Sequence, residues 1–156
     1  MTKTLFYGKT FESRFYTINR PDYSKVGYKS IMELAKEDKI KPYTTNTFTY
    51  TAQKKSKIIE SLLLGYPQIF QVVMHLKHDQ YEFLAGYQEV MGIVDFINGK
   101  FKLKSFTKLR ELNGLTYDQL DQRTKNELDS AFLYTSILSF DLPKDELDDI
   151  YDRLKA

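Results

Sequence analysis

The chain has 156 residues, a hydrophobic content of 42% and no cysteine, which suffices for one domain with its own core and excludes disulfides and thiolate metal sites. No apolar run approaches the roughly 20 residues that span a bilayer, and the N-terminal "MTKTLFYGKTFESRF" is too poor in apolar residues for a secretory signal, so a soluble, unexported, cytoplasmic protein is expected. The net charge of +2 conceals a gradient, with 12 Lys or Arg against 5 Asp or Glu in residues 1–57 and 5 against 10 in residues 116–156; this leaves open a basic face for phosphates or an acidic partner, and two solvated faces that attract each other.

Taken in chain order, "TLFYGKTFESRFYTINRPDYS" alternates aromatic and polar residues and predicts extended structure, with a hairpin turn at Tyr7-Gly8-Lys9. "YKSIMELAKEDKI" predicts a short helix capped by Ser30, with Ile31, Leu34 and Ala35 on one face. "KPYTTNTFTYT" is a loop or strand edge. The clearest helix is "TAQKKSKIIESLLLG": Thr51 can cap it, Ile58, Ile59, Leu62 and Leu63 repeat at helical spacing, and Gly65 suits a left-handed C-terminal cap. Its first turns carry Lys54, Lys55 and Lys57, where the helix dipole prefers acids, which leaves room for an anion.

"YPQIFQVVMHL" predicts a central strand, "HDQ" a turn and "YEFLA" the returning strand of a hairpin. After Gly86, Val90, Ile93, Val94 and Ile97 mark a helix that stops at Asn98-Gly99. A short strand over Phe101-Lys102-Leu103 is expected next, then a turn at Asn113-Gly114, a helix over Leu120–Leu128 and a strand over Phe132–Phe140. Pro143 opens a final acidic helix containing Leu147, Ile150 and Leu154. Mixed strands and helices without a repeat or linker predict a single α+β domain over 1–156, in which 1–29 is an N-terminal extended segment.

Few residues carry chemistry. His75 and His78, with Asp79 and Glu82, fall on a strand and turn where the two rings do not converge on a metal. Neither a Gly-x-Ser-x-Gly elbow nor a phosphate loop of the Gly-x-x-x-x-Gly-Lys-Ser/Thr type occurs. Aromatics among lysines, Tyr43 and Tyr50 with Lys54, Lys55 and Lys57, can stack bases or pack at strand edges. The remaining geometry of interest is "LAGYQE", where a strand enters a glycine turn and leaves as a helix, so that free N–H groups can receive a phosphate.

From about Ser30 to Leu154 the ordered stretches "KKSKIIESLLLGYP", "YEFLAGYQEVMGIVDFINGKFKL", "LNGLTYDQL" and "IYDRL" make the chain resemble the N-terminal domain of GmrSD-type, modification-dependent restriction enzymes. The resemblance implies a ParB/sulfiredoxin-like mixed sheet with flanking helices over 30–156. In that family an Asp-Gly-Gln-Gln-Arg turn takes part in nucleotide binding and hydrolysis linked to DNA cleavage. Here Ala85 stands for the Asp, Gly86 matches, Tyr87 replaces the first Gln, Gln88 matches and Glu89 replaces the Arg. The family's Pro-x-Tyr-Gln-Arg aligns with Pro42 to Asn46, so that Thr44, Thr45 and Asn46 stand for Tyr, Gln and Arg, and Tyr50 replaces a Trp.

A charge-assisted bond from arginine to phosphate contributes about 1.5–3 kcal/mol, and a glutamate in its place repels. The expectation is therefore a non-catalytic binding protein with no cofactor and no metal, acting on a protein partner such as a component of a host nucleic-acid-targeting defence system. The alternatives are a nucleic-acid-binding module and an NTP-dependent nuclease subunit with altered motifs. Oligomeric state is left open.

Overall fold

The structure is a computed structural model that describes residues 3–4, 10–12, 17–19, 24–30, 40–45, 49–77, 80–138 and 142–155. Three short strands, β1 (Lys3–Thr4), β2 (Thr10–Glu12) and β3 (Thr17–Asn19), form an antiparallel meander. The main sheet has five strands: β4 (Ser24–Ser30), β5 (Ile40–Pro42), β6 (Val73–Lys77), β7 (Gln80–Ala85) and β8 (Phe132–Leu138). Their order is β4-β8-β6-β7-β5. β6 pairs β7 antiparallel and β8 parallel, while β4 joins β8 antiparallel and β5 joins β7 parallel. The class is α+β, as expected, and the sheet is mixed.

Alternation along the strands divides the interior into two parts. Met74, Phe83 and Leu133 point to one face, where they pack with Ile58 and Ile59 of α1 (Ala52–Leu63), Val90, Ile93, Val94 and Phe96 of α2 (Tyr87–Ile97), and Leu128 of α3 (Gln122–Asp129). Val73, Leu84 and Leu138 point to the other face, beneath Leu147 of α4 (Lys144–Lys155). Helices thus cover both faces of the sheet.

Local chemistry explains the helix ends. The hydroxyl of Thr51 accepts from the N–H of Lys54 at 3.2 Å, which caps α1, and Gly65 follows the helix at φ 71°. The carboxylate of Asp121 accepts from the N–H of Thr124 at 2.7 Å and caps α3. In α4, Asp145 and Glu146 occupy the first turn and Arg153 and Lys155 the last, in keeping with the helix dipole.

Three expectations change. The strand before the hairpin begins at Val73 rather than near Tyr66, because the Gln68 side chain takes the pairing role there: its oxygen accepts from the Tyr134 N–H at 2.7 Å and its amide donates to the Tyr134 carbonyl at 3.1 Å. Phe101 to Leu103 is not a strand. Leu103 exchanges one pair of bonds, its N–H to Leu115 and its carbonyl from Gly114, and no ladder extends from it. The helix expected from Leu120 begins at Gln122, after a 3₁₀ turn at Tyr117–Gln119. Ser24–Ser30, which crosses the expected boundary between the extended segment of 1–29 and the rest of the domain, is an edge strand of the main sheet. The helix expected after Ser30, the turn at Tyr7 to Lys9, and Asn46 lie outside the described residues.

Candidate functional site

The strand-to-helix turn has the expected backbone. Gly86 sits at φ 86° as the N-cap of α2, and the Val90 N–H bonds its carbonyl at 3.0 Å. What presses on Gly86 is protein. A Cβ there would lie 2.6 Å from the Gln71 carbonyl oxygen and 3.0 Å from Val72 Cγ2. The glycine is therefore required by the chain crossing in front of β6, without appeal to a ligand.

The acid that follows the turn is also engaged. Glu89, in the first turn of α2, accepts a hydrogen bond from the Tyr50 hydroxyl at 2.9 Å. Burial, and then the Glu89 carboxylate, push the Tyr50 hydroxyl up to about 12. The Lys54 ammonium lies 3.8 Å from the centre of the Tyr50 ring, a cation–π contact. Lys55 turns inward, pairs with Asp95 of α2 at 3.2 Å, and its stem fills the space left by Gly92. Lys57 remains exposed on α1. The structure thus brings Tyr50, Lys54, Lys55 and Glu89 to the contact of α1 with α2, and the acid stands where an anion would seek the helix N-terminus.

Tyr43, Thr44 and Ala85 belong elsewhere. Ala85 and Tyr43 pack with the smaller cluster under α4. The Tyr43 hydroxyl donates to Asp148, the Thr44 hydroxyl lies 2.7 Å from that of Tyr151, and the Tyr43 and Tyr151 rings meet at 5.4 Å between centroids. Burial and the bond to Asp148 hold the Tyr43 hydroxyl above its ordinary value, while the Lys144 ammonium and the Tyr43 bond hold Asp148 below the carboxylate range. Thr45 is exposed, and Tyr87 and Gln88 are half-buried in the first turn of α2.

A second arrangement joins two residues that the sequence offers only as metal donors. His75 and Glu82 face each other across the β6–β7 hairpin, with Nδ1 3.3 Å from the carboxylate, and both are buried. They line a cleft of about 380 Å³ between the sheet and α4. The signal was present: counting outward from the turn pairs Lys77 with Gln80, Leu76 with Tyr81 and His75 with Glu82. Among the described residues no group of three metal-ligating side chains converges.

Compared with protein-family models, curated proteins and solved structures, the chain matches none. The likeness to GmrSD-type domains rests on the residues quoted for it. Among the described residues no helix is long and apolar enough to cross a membrane.

A third feature bears on partners. Ile69 is 75% exposed, Phe132 60% and Tyr134 61%, with Tyr66 also exposed. Gln68, bonded to the Tyr134 backbone, lies between them, in a groove lined by Tyr66 and Ile69 on one side and in another lined by Tyr134. Exposed apolar groups mark contact surfaces where they join into one patch.

Proposed function

We propose that the chain is a non-catalytic binding protein on a degenerate, ParB/sulfiredoxin-like restriction-enzyme domain. Its partner in this reading is a protein of a host nucleic-acid-targeting defence system, which the chain inhibits as a decoy of the kind a phage or mobile element encodes. The observation that carries the reading is the Glu89 carboxylate on Tyr50 at the mouth of the turn, an acid where the family places a phosphate-binding arginine. The patch of Tyr66, Ile69, Phe132 and Tyr134 supports a protein partner. The defence role comes from the resemblance alone.

Calorimetric titration with ATP and with GTP in the presence of magnesium is expected to give no binding heat, and no hydrolysis should follow. Glu89→Arg should not restore either, since Ala85 is still no acid, and it should cost about 1 kcal/mol of stability through the lost Tyr50 bond. Turnover that disappears in Gln88→Ala would overturn the non-catalytic reading. A protein retained by the wild type should be released by Ile69→Asp combined with Phe132→Asp; equal retention would remove the patch as the contact.

The stacking of Lys54 on Tyr50 beside the exposed Lys57 favours a second reading, a nucleic-acid-binding module. Its affinity for single-stranded DNA should fall steeply with salt. Absent or salt-independent binding eliminates it.

A further inference from the structure

The imidazole of His75 is 2% exposed, and its Nε2 is a buried polar atom with no hydrogen-bond partner. Such an atom calls for an occupant, because an unmet buried group loses the hydrogen bonds it had in water. On the other side of the ring, Nδ1 lies 3.3 Å from the Glu82 carboxylate, and an ionised carboxylate can only accept, which places a proton on Nδ1. Nε2 is then a lone pair in the neutral ring or a donor in the imidazolium.

The charges around the cleft decide between them. Lys77 comes from β6, Glu82 from β7 with Lys41 of β5 at 3.9 Å from its carboxylate, and Asp148 and Lys144 from α4. Both acids are already engaged: Glu82 by His75 and Lys41, Asp148 by the Tyr43 hydroxyl and by Lys144 at 2.8 Å. Lys77 makes no ion pair among the described residues. A cation would meet the ammonium groups of Lys77 and Lys144, whereas an anion would meet those two groups and a donor at Nε2.

We propose that the cleft between the sheet and α4 binds a small molecule bearing a dianionic oxyanion, such as a phosphate monoester, with His75 Nε2 and Lys77 as its principal donors. The volume of about 380 Å³ suits a small organic molecule better than a bare ion. The site lies on the opposite face of the sheet from the Glu89 turn and stands or falls independently of the proposed partner.

Inorganic sulfate is the probe, because it keeps its double charge across the working pH range. Long-range ¹H–¹⁵N correlation spectra, with the two histidines assigned through His78→Gln, should show a saturable shift of the His75 ring. Lys77→Ala should weaken sulfate binding severalfold in a protein that keeps its wild-type amide spectrum, and His75→Phe should abolish it. An unmoved ring at about 50 mM sulfate, affinity unchanged in Lys77→Ala, or a response to Zn²⁺ and not to sulfate would overturn the proposal.

Discussion

Gly86→Ala is expected to destabilise the protein by about 3 kcal/mol or more, read as a lower midpoint in urea at unchanged slope. Two costs add. A left-handed backbone at φ 86° costs an L-residue about 1–2 kcal/mol, and the new Cβ, 2.6 Å from the Gln71 carbonyl oxygen, forces backbone against backbone. Gly65→Ala separates them: it has a similar φ of 71° but nothing within 4 Å of a Cβ, so only the conformational cost of about 1 kcal/mol applies. Equal effects at the two positions would show that the approach of Gln71 and Val72 is unimportant. A large difference would explain the glycine without any ligand.

Glu60→Ala is expected to cost about 2–4 kcal/mol, a large part of the 5–15 kcal/mol that holds a typical domain. Glu60 is 6% exposed, and its carboxylate accepts from the N–H groups of Thr107, Lys108 and Leu109 at 3.4, 3.0 and 3.0 Å. Together with the Ser56 hydroxyl, which accepts from the Lys104 N–H at 3.1 Å, it fastens the irregular segment 104–109 to α1. Burial alone would raise its carboxyl, but the bonds from Leu109, Lys108 and Thr107 outweigh it and hold the group below the usual range. A depressed folded value means that the stabilisation is complete above the unfolded value of about 4.3 and is lost as pH falls through the folded one. Wild type should therefore lose stability on acidification more steeply than Glu60→Ala. Glu60→Gln, which keeps one acceptor oxygen, should fall between them. Parallel pH profiles for wild type and Glu60→Ala would contradict this role.

What the sequence disclosed follows from the range of the interactions. α1, α2 and the β6–β7 hairpin rest on local patterns: Ile58 and Ile59, then Val90, Ile93 and Val94, at helical spacing, with a glycine after one helix and before the other. β4 was legible only as part of an extended segment: "SKVGYKS" offers just Val26 and Tyr28 as alternating apolar residues, and its place in the main sheet is defined by its long pairing with β8, more than a hundred residues away. Phe101 to Leu103 misled for the converse reason. Leu103 is buried and Lys102 exposed, as in a strand, but the neighbour is one turn of irregular chain.

The candidate site was legible to the same degree. That an acid, Glu89, follows the glycine turn could be read directly; that it meets Tyr50, thirty-nine residues earlier, could not. The pairing of His75 with Glu82 followed from the hairpin register, yet those residues had been weighed only as metal donors. Lys144 and Asp148 join them through the docking of α4, which no local pattern encodes.

That docking also makes the molecule unequal in its resistance to opening. The cluster under α1, α2 and α3 is complete without α4, whereas α4 fully buries only Leu147 and is further held by the hydroxyls of Tyr43 and Thr44. Cooperative units with fewer buried contacts detach at lower free energy than the whole fold. The last helix is thus the weaker of two such units. Its transient release would widen the cleft over His75 while the opposite face of the sheet stays closed, a motion that does not require global unfolding.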